Sequence, residues 1–145
     1  MVEMTSEEIR SFLRRGTFTG KLATTRKDIS PHVAPVWFVL DEDSNNTDII
    51  LTTWHESLKA KNIIRDPRAS ISVDDQTPPY SFVIINGVAE ISEEPNDLLN
   101  WATKIAERYV GPDKAEAYGR RNSVKGELLI RVKPKNIIGQ KDVAG

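Results

Sequence analysis

Residues 51–67, LTTWHESLKAKNIIRDP, have the residue types and spacing of an anion-binding site. An apolar strand is predicted to end here, and Ser57 follows it as a helix N-cap. The first N–H groups of a helix lack partners within the helix and carry partial positive charge, so they favour an anion. Lys59 and Lys61 add full positive charges just inside that end. The pattern predicts a site for the phosphate of a small molecule.

Other chemistries find less support in the sequence. No glycine-rich loop precedes the helix, so the segment is neither a P-loop nor a dinucleotide fingerprint. Cysteine is absent and the two histidines, His32 and His55, have no metal-ligand spacing, so we expect no metal site. Lysines are usually solvent-exposed, so a solvated helix face is the competing interpretation. For Lys61 the two interpretations stay open.

Composition restricts the class of protein. The chain has 145 residues, 39% of them hydrophobic and 28% charged, which predicts a single folded domain over residues 1–145. The net charge of −1 argues against a nucleic-acid partner. The longest apolar run, residues 36–40, is too short to cross a membrane, and the acidic N-terminus lacks a signal-peptide pattern. We therefore expect no membrane partner and a cytoplasmic location.

Four helices are predicted. Thr5 and Glu8 form a capping box that begins the first, over residues 5–15. The second follows Ser57 and stops before Pro67. The third covers residues 95–109, and a short fourth covers residues 113–121. Arg120, Arg121, Lys133 and Lys135 are interpreted as solvated cations, with contact to a cofactor tail or substrate as the minority alternative.

Six strands complete the predicted fold: residues 21–26, 33–40, 48–53, 69–74, 80–91 and 127–132. Their spacing predicts a mainly β protein, a small, mostly antiparallel six-stranded barrel with peripheral helices. Strands 33–40 and 80–91 are apolar on both faces, so both faces should be buried. One small barrel covers only one face of each strand. The second face predicts a homodimer, with a groove between subunits for a flat ligand.

Three stretches carry a family resemblance: GKLATTRKDISPHVAPVWFVLD, LTTWHESLKAKNIIRDPRASISVDD and PPYSFVIINGVAEI. In this order and spacing they resemble the pyridoxamine 5′-phosphate oxidase-like split-barrel proteins, over about residues 12–132. The subgroup that matches best is described as coenzyme F420- or FMN-dependent oxidoreductases. The resemblance implies an FMN-binding type of split barrel, a homodimer and two cofactor sites at the interface.

The resemblance also implies positions for the cofactor. Its ring would lie along strand 33–40, with Val36, Trp37 and Phe38, while Thr52 and Thr53 would lie near the ring and its side chain. The cofactor phosphate would be surrounded by Ser57, Lys59, Lys61 and Asn62. Lys59 and Asn62 are three residues apart and should share a helix face, and Lys59 is the preferred phosphate contact.

One position departs from the family pattern. The first hairpin commonly has Asp-Gly where this chain has Asp28-Ile29. Because β-branched residues resist positive φ, the sequence predicts a turn of another type.

The predicted function is hydride transfer to or from a small organic substrate by an oxidoreductase that uses coenzyme F420 or FMN. No catalytic residue is assigned, because the cofactor supplies the difficult chemistry. A non-catalytic cofactor carrier is the alternative. Pyridoxamine 5′-phosphate oxidation is a weaker option, because the C-terminal RVKPKNIIGQKDVAG lacks the arginine-rich substrate segment of that enzyme.

Overall fold

The computed structural model describes every residue from Met1 to Gly145. It contains eight strands and four helices. In chain order these are β1 Val2–Glu3, α1 Ser6–Arg14, β2 Gly20–Thr25, β3 Pro31–Val36, β4 Val39–Leu40, β5 Ile49–Trp54, α2 Leu58–Arg65, β6 Arg68–Asp75, β7 Ser81–Ser92, α3 Pro95–Val110, α4 Pro112–Arg121 and β8 Glu127–Lys141. All four predicted helices are present, and Thr5 and Glu8 form the expected capping box.

The strands form one antiparallel sheet in the order β3-β2-β6-β7-β8-β5-β4, with β1 added to β8. This is the predicted mainly β split barrel with peripheral helices. It has eight strands rather than six, because β1 was not anticipated and the strand predicted over residues 33–40 is divided. None of the four helices combines the length and apolarity that crossing a bilayer requires.

The prediction of one continuous strand over residues 33–40 is wrong. β3 ends at Val36 and β4 begins at Val39. Between them, the Phe38 N–H donates to Tyr109 Oη at 3.2 Å, and the Phe38 carbonyl accepts from Arg108 at 2.8 Å. Side chains of α3 therefore replace the ladder partners of this residue, and the strand stops where they bind.

Burial of both faces of this segment is not seen within one chain. Phe38 is fully buried, but Val33 is 65% exposed and Trp37 is 41% exposed. One face of β3 thus joins the core and the other remains open, as a surface that nothing in the same chain covers.

β8 continues nine residues beyond the predicted end at Val132 and reaches Lys141. The extension passes through Pro134, which lacks an N–H donor for the ladder. The structure places Pro134 opposite Gly87, where the β7–β8 register shifts. A bulge tolerates proline because the ladder is already interrupted there.

The interior of the barrel is filled by aliphatic and aromatic side chains, including Leu13, Leu22, Phe38, Leu51, Ile71, Ile85 and Ile130. The strand predicted over residues 69–74 is present as β6, with the alternate residues Ala69, Ile71 and Val73 buried. Ala60 and Ile63 of α2 belong to the same core. Their burial fixes α2 against the sheet and so fixes the direction of its first turn.

The β2–β3 turn contradicts the expectation for Ile29. Its φ is 73°, so this β-branched residue occupies the left-handed region. The Ile29 N–H donates to the Arg26 carbonyl at 2.9 Å, and the Arg26 N–H donates to the Ser30 carbonyl at 2.9 Å. Asp28 also accepts from the Ser30 N–H at 3.0 Å. These bonds stabilise the turn and offset the unfavourable conformation of Ile29.

We expect Ile29→Gly to stabilise the protein. The left-handed conformation costs isoleucine about 1–2 kcal/mol, and the substitution removes this strain. Part of the gain is lost because glycine increases the entropy of the unfolded chain. Ile29 is 79% exposed, so little packing is lost. The net gain in unfolding free energy should be about 0.5–1 kcal/mol, measured by urea denaturation. Ile29→Val keeps the β-branch and is the control; an equal gain in both variants would contradict the strain argument.

Candidate functional site

Two neighbouring clefts lie against α2 and collect most of the predicted site residues. The first, here called the central cleft, has a volume of about 370 Å³ and is lined by Pro35, Val36, Trp37, Thr52, Thr53, Trp54, Lys59, Ala102, Ile105, Arg121, Asn122 and Glu127. The second, here called the basic cleft, has a volume of about 670 Å³ and is lined by Arg26, Lys27, Asp28, Leu58, Lys61, Asn62 and Arg65. Residues of α2 contribute to both.

The turn between β5 and α2 connects strand, cap and helix by side-chain bonds. Ser57 is the N-cap of α2, and its Oγ accepts from the Ala60 N–H at 3.2 Å. The same Oγ shares a hydrogen bond of 2.9 Å with Thr53 Oγ1. The helix start is therefore tied to the strand whose threonines line the central cleft.

The structure distributes the nine predicted residues over four environments. The central cleft contains Val36, Trp37, Thr52, Thr53 and Lys59. The basic cleft contains Lys61 and Asn62. Ser57 caps α2, and Phe38 is fully buried beneath the barrel surface.

Asn62 lines the basic cleft and also forms a structural hydrogen bond. It is fully buried, and its Nδ2 donates to Thr24 Oγ1 of β2 at 3.0 Å. Lys59 is half-buried and belongs to the other cleft. The two side chains therefore do not share a cleft, although they are three residues apart.

The wall of the central cleft is aromatic and firmly supported. The ring of Trp37 stacks on Tyr109, with centroids 5.0 Å apart and planes 2° apart. Tyr109 Oη donates to the Phe18 carbonyl at 2.7 Å. Burial raises the pKa of Tyr109, so the side chain remains a neutral phenol. Trp37 is thus partly exposed and is held in place by Tyr109, while Thr52 and Thr53 supply hydroxyl groups to the cleft.

Cations around both clefts form no ion pairs within the chain. Neither Lys59 nor Arg121 takes part in any of the ion pairs, and the same holds for Arg26, Lys27, Lys61 and Arg65 of the basic cleft. By contrast, Arg14, Lys21 and Arg131 are each paired with a carboxylate elsewhere. Asp28 is the only acidic residue of the basic cleft. The charge of this surface is therefore available to an anionic ligand.

Sequence reasoning missed several residues of these clefts. Arg121 was interpreted as solvated, but it lines the central cleft with Asn122 and Glu127. Arg121 ends α4, Asn122 follows it, and Glu127 begins β8. Glu127 is brought to the cleft because it pairs with Trp54 of β5. No local pattern indicates that pairing. The position of Arg26 and Lys27 was visible in the sequence, because both directly precede the predicted turn at Asp28-Ile29.

No cluster of three or more His, Cys, Asp or Glu residues is suited to a metal ion. His55 Nδ1 hydrogen-bonds to the Gly126 carbonyl at 3.0 Å. Trp101 lies outside the central cleft, where it packs beside Ile50, Leu98 and Leu129 and under Lys104.

Comparison with known proteins gives a consistent result. A family model described as pyridoxamine 5′-phosphate oxidase matches residues 5–141. The structure of a conserved hypothetical protein from Mycobacterium tuberculosis is 30% identical and has a TM-score of 0.83, covering 98% of this chain and 89% of that one. An F420 reductase is 27% identical with a TM-score of 0.68, covering 88% of this chain and 94% of that one.

The fold extends to proteins with other ligands. HutZ, described as a heme storage protein from Vibrio cholerae, has a TM-score of 0.70 over 92% of this chain and 94% of its own, at 20% identity. At that identity the likeness concerns the fold alone. No curated protein gives a significant match. The family model and the solved structures confirm the resemblance seen in the sequence, and the chain belongs to the pyridoxamine 5′-phosphate oxidase-like family of split-barrel proteins.

Proposed function

We propose that this protein is an oxidoreductase that uses coenzyme F420 or FMN for hydride transfer to or from a small organic substrate. The proposal rests on two features that occur together at α2. Residues of α2 line both an aromatic and hydroxyl-lined cleft of about 370 Å³ and a second cleft whose cations form no ion pairs within the chain. A planar ring with an anionic tail has the chemistry that complements both features.

The residues of the central cleft fit such a cofactor by their chemistry. Val36 and Trp37 offer an apolar wall to a ring, and Thr52 and Thr53 offer hydroxyls to its polar edge. Lys59, at the first turn of α2, offers a charge to the phosphate. The bound cofactor supplies hydride chemistry, and the protein binds it, orients it and excludes water. Phe38 lies behind the wall, so we assign it a supporting role.

The choice between the two cofactors leans toward coenzyme F420. FMN ends in one phosphate, whereas coenzyme F420 continues beyond its phosphodiester into an anionic oligoglutamate tail. Two successive cationic surfaces, Lys59 with Arg121 and then the basic cleft, complement the longer anion better. The F420 reductase among the structural relatives supports the same choice.

A homodimer completes the proposal. Val33 on β3 is 65% exposed, Trp37 directly after β3 is 41% exposed, and Ile138 on β8 is 45% exposed. Burying such apolar side chains against a second copy is favourable. Since Trp37 also lines the central cleft, the partner would close one side of the cofactor site. Sedimentation velocity should give a dimer, and a monomer at micromolar concentration would contradict this part of the proposal.

Replacing Lys59 by alanine tests the phosphate contact. Loss of charge-assisted hydrogen bonds should weaken cofactor binding by roughly 1.5–3 kcal/mol, about 10- to 150-fold in Kd. Fluorescence titration of the purified protein with coenzyme F420 and with FMN measures this. Lys114→Ala is the matched control, because Lys114 is an exposed lysine in the first turn of α4, outside both clefts. Equal weakening in both variants would point to a general charge effect.

A cofactor carrier is the second candidate, since the central cleft contains one carboxylate and no acid–base pair. Steady-state reduction of enones or quinones separates the two functions, because a carrier binds without turnover. Failure to bind either cofactor at micromolar concentration would remove both candidates. Formation of pyridoxal phosphate from pyridoxamine phosphate would instead favour the activity for which the family model is named.

A further inference from the structure

Glu127 occupies a distinctive place in the central cleft. It is the first residue of β8, pairs with Trp54 of β5, and is half-buried. It is also the only acidic residue among those that line the cleft. A ligand between Trp37 and Thr52 would therefore meet a single carboxyl group.

The carboxyl group of Glu127 has no partner within the chain. It takes part in none of the ion pairs and none of the side-chain hydrogen bonds, although cations surround it. Arg121 approaches it from α4, Lys59 from α2, and His55 from the turn between β5 and α2. Burial raises the pKa of Glu127, and these three groups offset the effect only in part. The group is thus better able to hold a proton near neutral pH than an ordinary glutamate.

The backbone before Glu127 is held firmly. The Glu127 N–H donates to the Val124 carbonyl at 3.0 Å, and the Gly126 carbonyl accepts from the His55 N–H at 2.8 Å. Gly126 has a φ of 102°, and a Cβ there would lie 2.5 Å from the Trp54 ring. Because the turn is pressed against Trp54, the position of Glu127 is defined by the fold and not by a flexible loop.

We propose that Glu127 is the proton donor of the central cleft in the reduction of conjugated carbonyl acceptors. This inference rests on the proposed function. A reduced cofactor held in the cleft would supply a hydride to the β-carbon of the acceptor; the new C–H bond would form there, and the cofactor would be left in its oxidised form. The π electrons of the C=C bond move to give an enolate. Glu127 transfers its proton to the α-carbon, the carbonyl is restored, and the carboxylate regains a proton from water.

The competing role for Glu127 is positioning alone, in which its negative charge orients Lys59 and Arg121. A positioning residue would alter cofactor affinity but not the origin of the transferred proton. The two roles therefore differ in a stereochemical result, because protonation from one fixed carboxyl group occurs on one face of the substrate. Protonation from bulk water has no such preference.

The experiment compares wild type, Glu127→Gln and the control Glu90→Gln in D₂O with a 2-substituted cyclohexenone and each reduced cofactor. Glu90 is an exposed strand glutamate that pairs with Lys133 at 3.2 Å, outside the cleft. Wild type and control should place deuterium on one face of the α-carbon. Glu127→Gln should react at least tenfold more slowly, with KM little changed, and should lose the facial preference.

The outcomes separate this inference from the proposed function. If wild type transfers hydride and Glu127→Gln keeps its rate and facial preference, the inference is wrong and the proposed function stands. If wild type transfers no hydride with either cofactor, both are overturned.

A cofactor-free measurement gives an independent test. In carboxyl-carbon NMR of the protein alone, Glu127 should titrate above the exposed glutamates, and Arg121→Ala should raise its pKa further by removing a nearby cation. Titration of Glu127 together with the exposed glutamates would contradict the assignment as a proton donor.

Discussion

Gly87→Ala is expected to destabilise the protein by about 3 kcal/mol or more. A Cβ at this position would lie 2.1 Å from the Lys133 carbonyl oxygen and 2.9 Å from the Lys133 carbonyl carbon. Both atoms belong to the backbone of β8, so no side-chain rotation relieves the clash. The β7–β8 ladder would have to separate at its bulge. For a domain of this size the melting temperature should fall by about 6–12 °C.

Gly16→Ala is the matched control for that experiment. Gly16 has a positive φ of 54°, but a Cβ there meets no atom within 4 Å. Alanine at Gly16 should therefore cost only the backbone strain, about 1 kcal/mol. Urea denaturation of both variants compares the two costs. Similar losses at the two positions would mean that the close approach of β7 and β8 is relieved by a small backbone shift.

The same bulge explains why half of β8 was not predicted. The alternation of Leu128, Ile130 and Val132 is local and visible, whereas the continuation past Pro134 depends on where β7 has its irregularity. A proline inside a strand is acceptable only if its partner residue does not need the missing donor. That condition is a property of two segments far apart in the sequence. Local patterns therefore gave the start of β8 correctly and its end wrongly.

Features that depend on short-range physics were predictable. The capping box of α1, the N-cap Ser57 and the alternation of β6 each follow from residues within one element. The turn at Ile29 was not predictable in this way, because hydrogen bonds of Arg26 and Ser30 outweigh the intrinsic preference of the residue.

The same distinction between local and long-range features applies to the candidate site. The strand and helix that carry Thr52, Thr53 and Lys59 were recognised as a unit because they are contiguous. Arg121 and Glu127 enter only through the pairing of β5 with β8 and the packing of α4 on α3. The basic cleft likewise needs the β2–β3 turn to lie against α2. The sequence alone therefore did not indicate which distant segments complete each cleft.

Arg108 of α3 went unnoticed in the sequence and supports the site from behind. Its guanidinium donates to the carbonyls of Leu13 at 2.8 Å, Gly16 at 3.0 Å and Phe38 at 2.8 Å. It takes part in no ion pair, and burial lowers its pKa. The side chain thus connects the end of α1 and the break between β3 and β4 to one helix.

Arg108→Met is expected to cost about 3–5 kcal/mol of unfolding free energy. The variant keeps apolar volume but leaves three carbonyl groups without their donor. Arg108→Lys should recover little of the loss, because one ammonium group cannot reproduce a planar fork of donors. Urea denaturation measures both variants. Lys104→Met, one turn earlier on the same helix, removes a cation–π contact to Trp101 and a positive charge near Asp41, and should cost less than about 1 kcal/mol.

The functional consequence of Arg108→Met follows from the position of Phe38. Arg108 and Tyr109 together hold the chain between Val36 and Phe38, and this segment forms the aromatic wall of the central cleft. Releasing it should weaken cofactor binding even at temperatures where the variant remains folded. Titration at low temperature, checked by circular dichroism, isolates that effect. Unchanged affinity in a folded Arg108→Met protein would mean that Tyr109 alone keeps Trp37 in place.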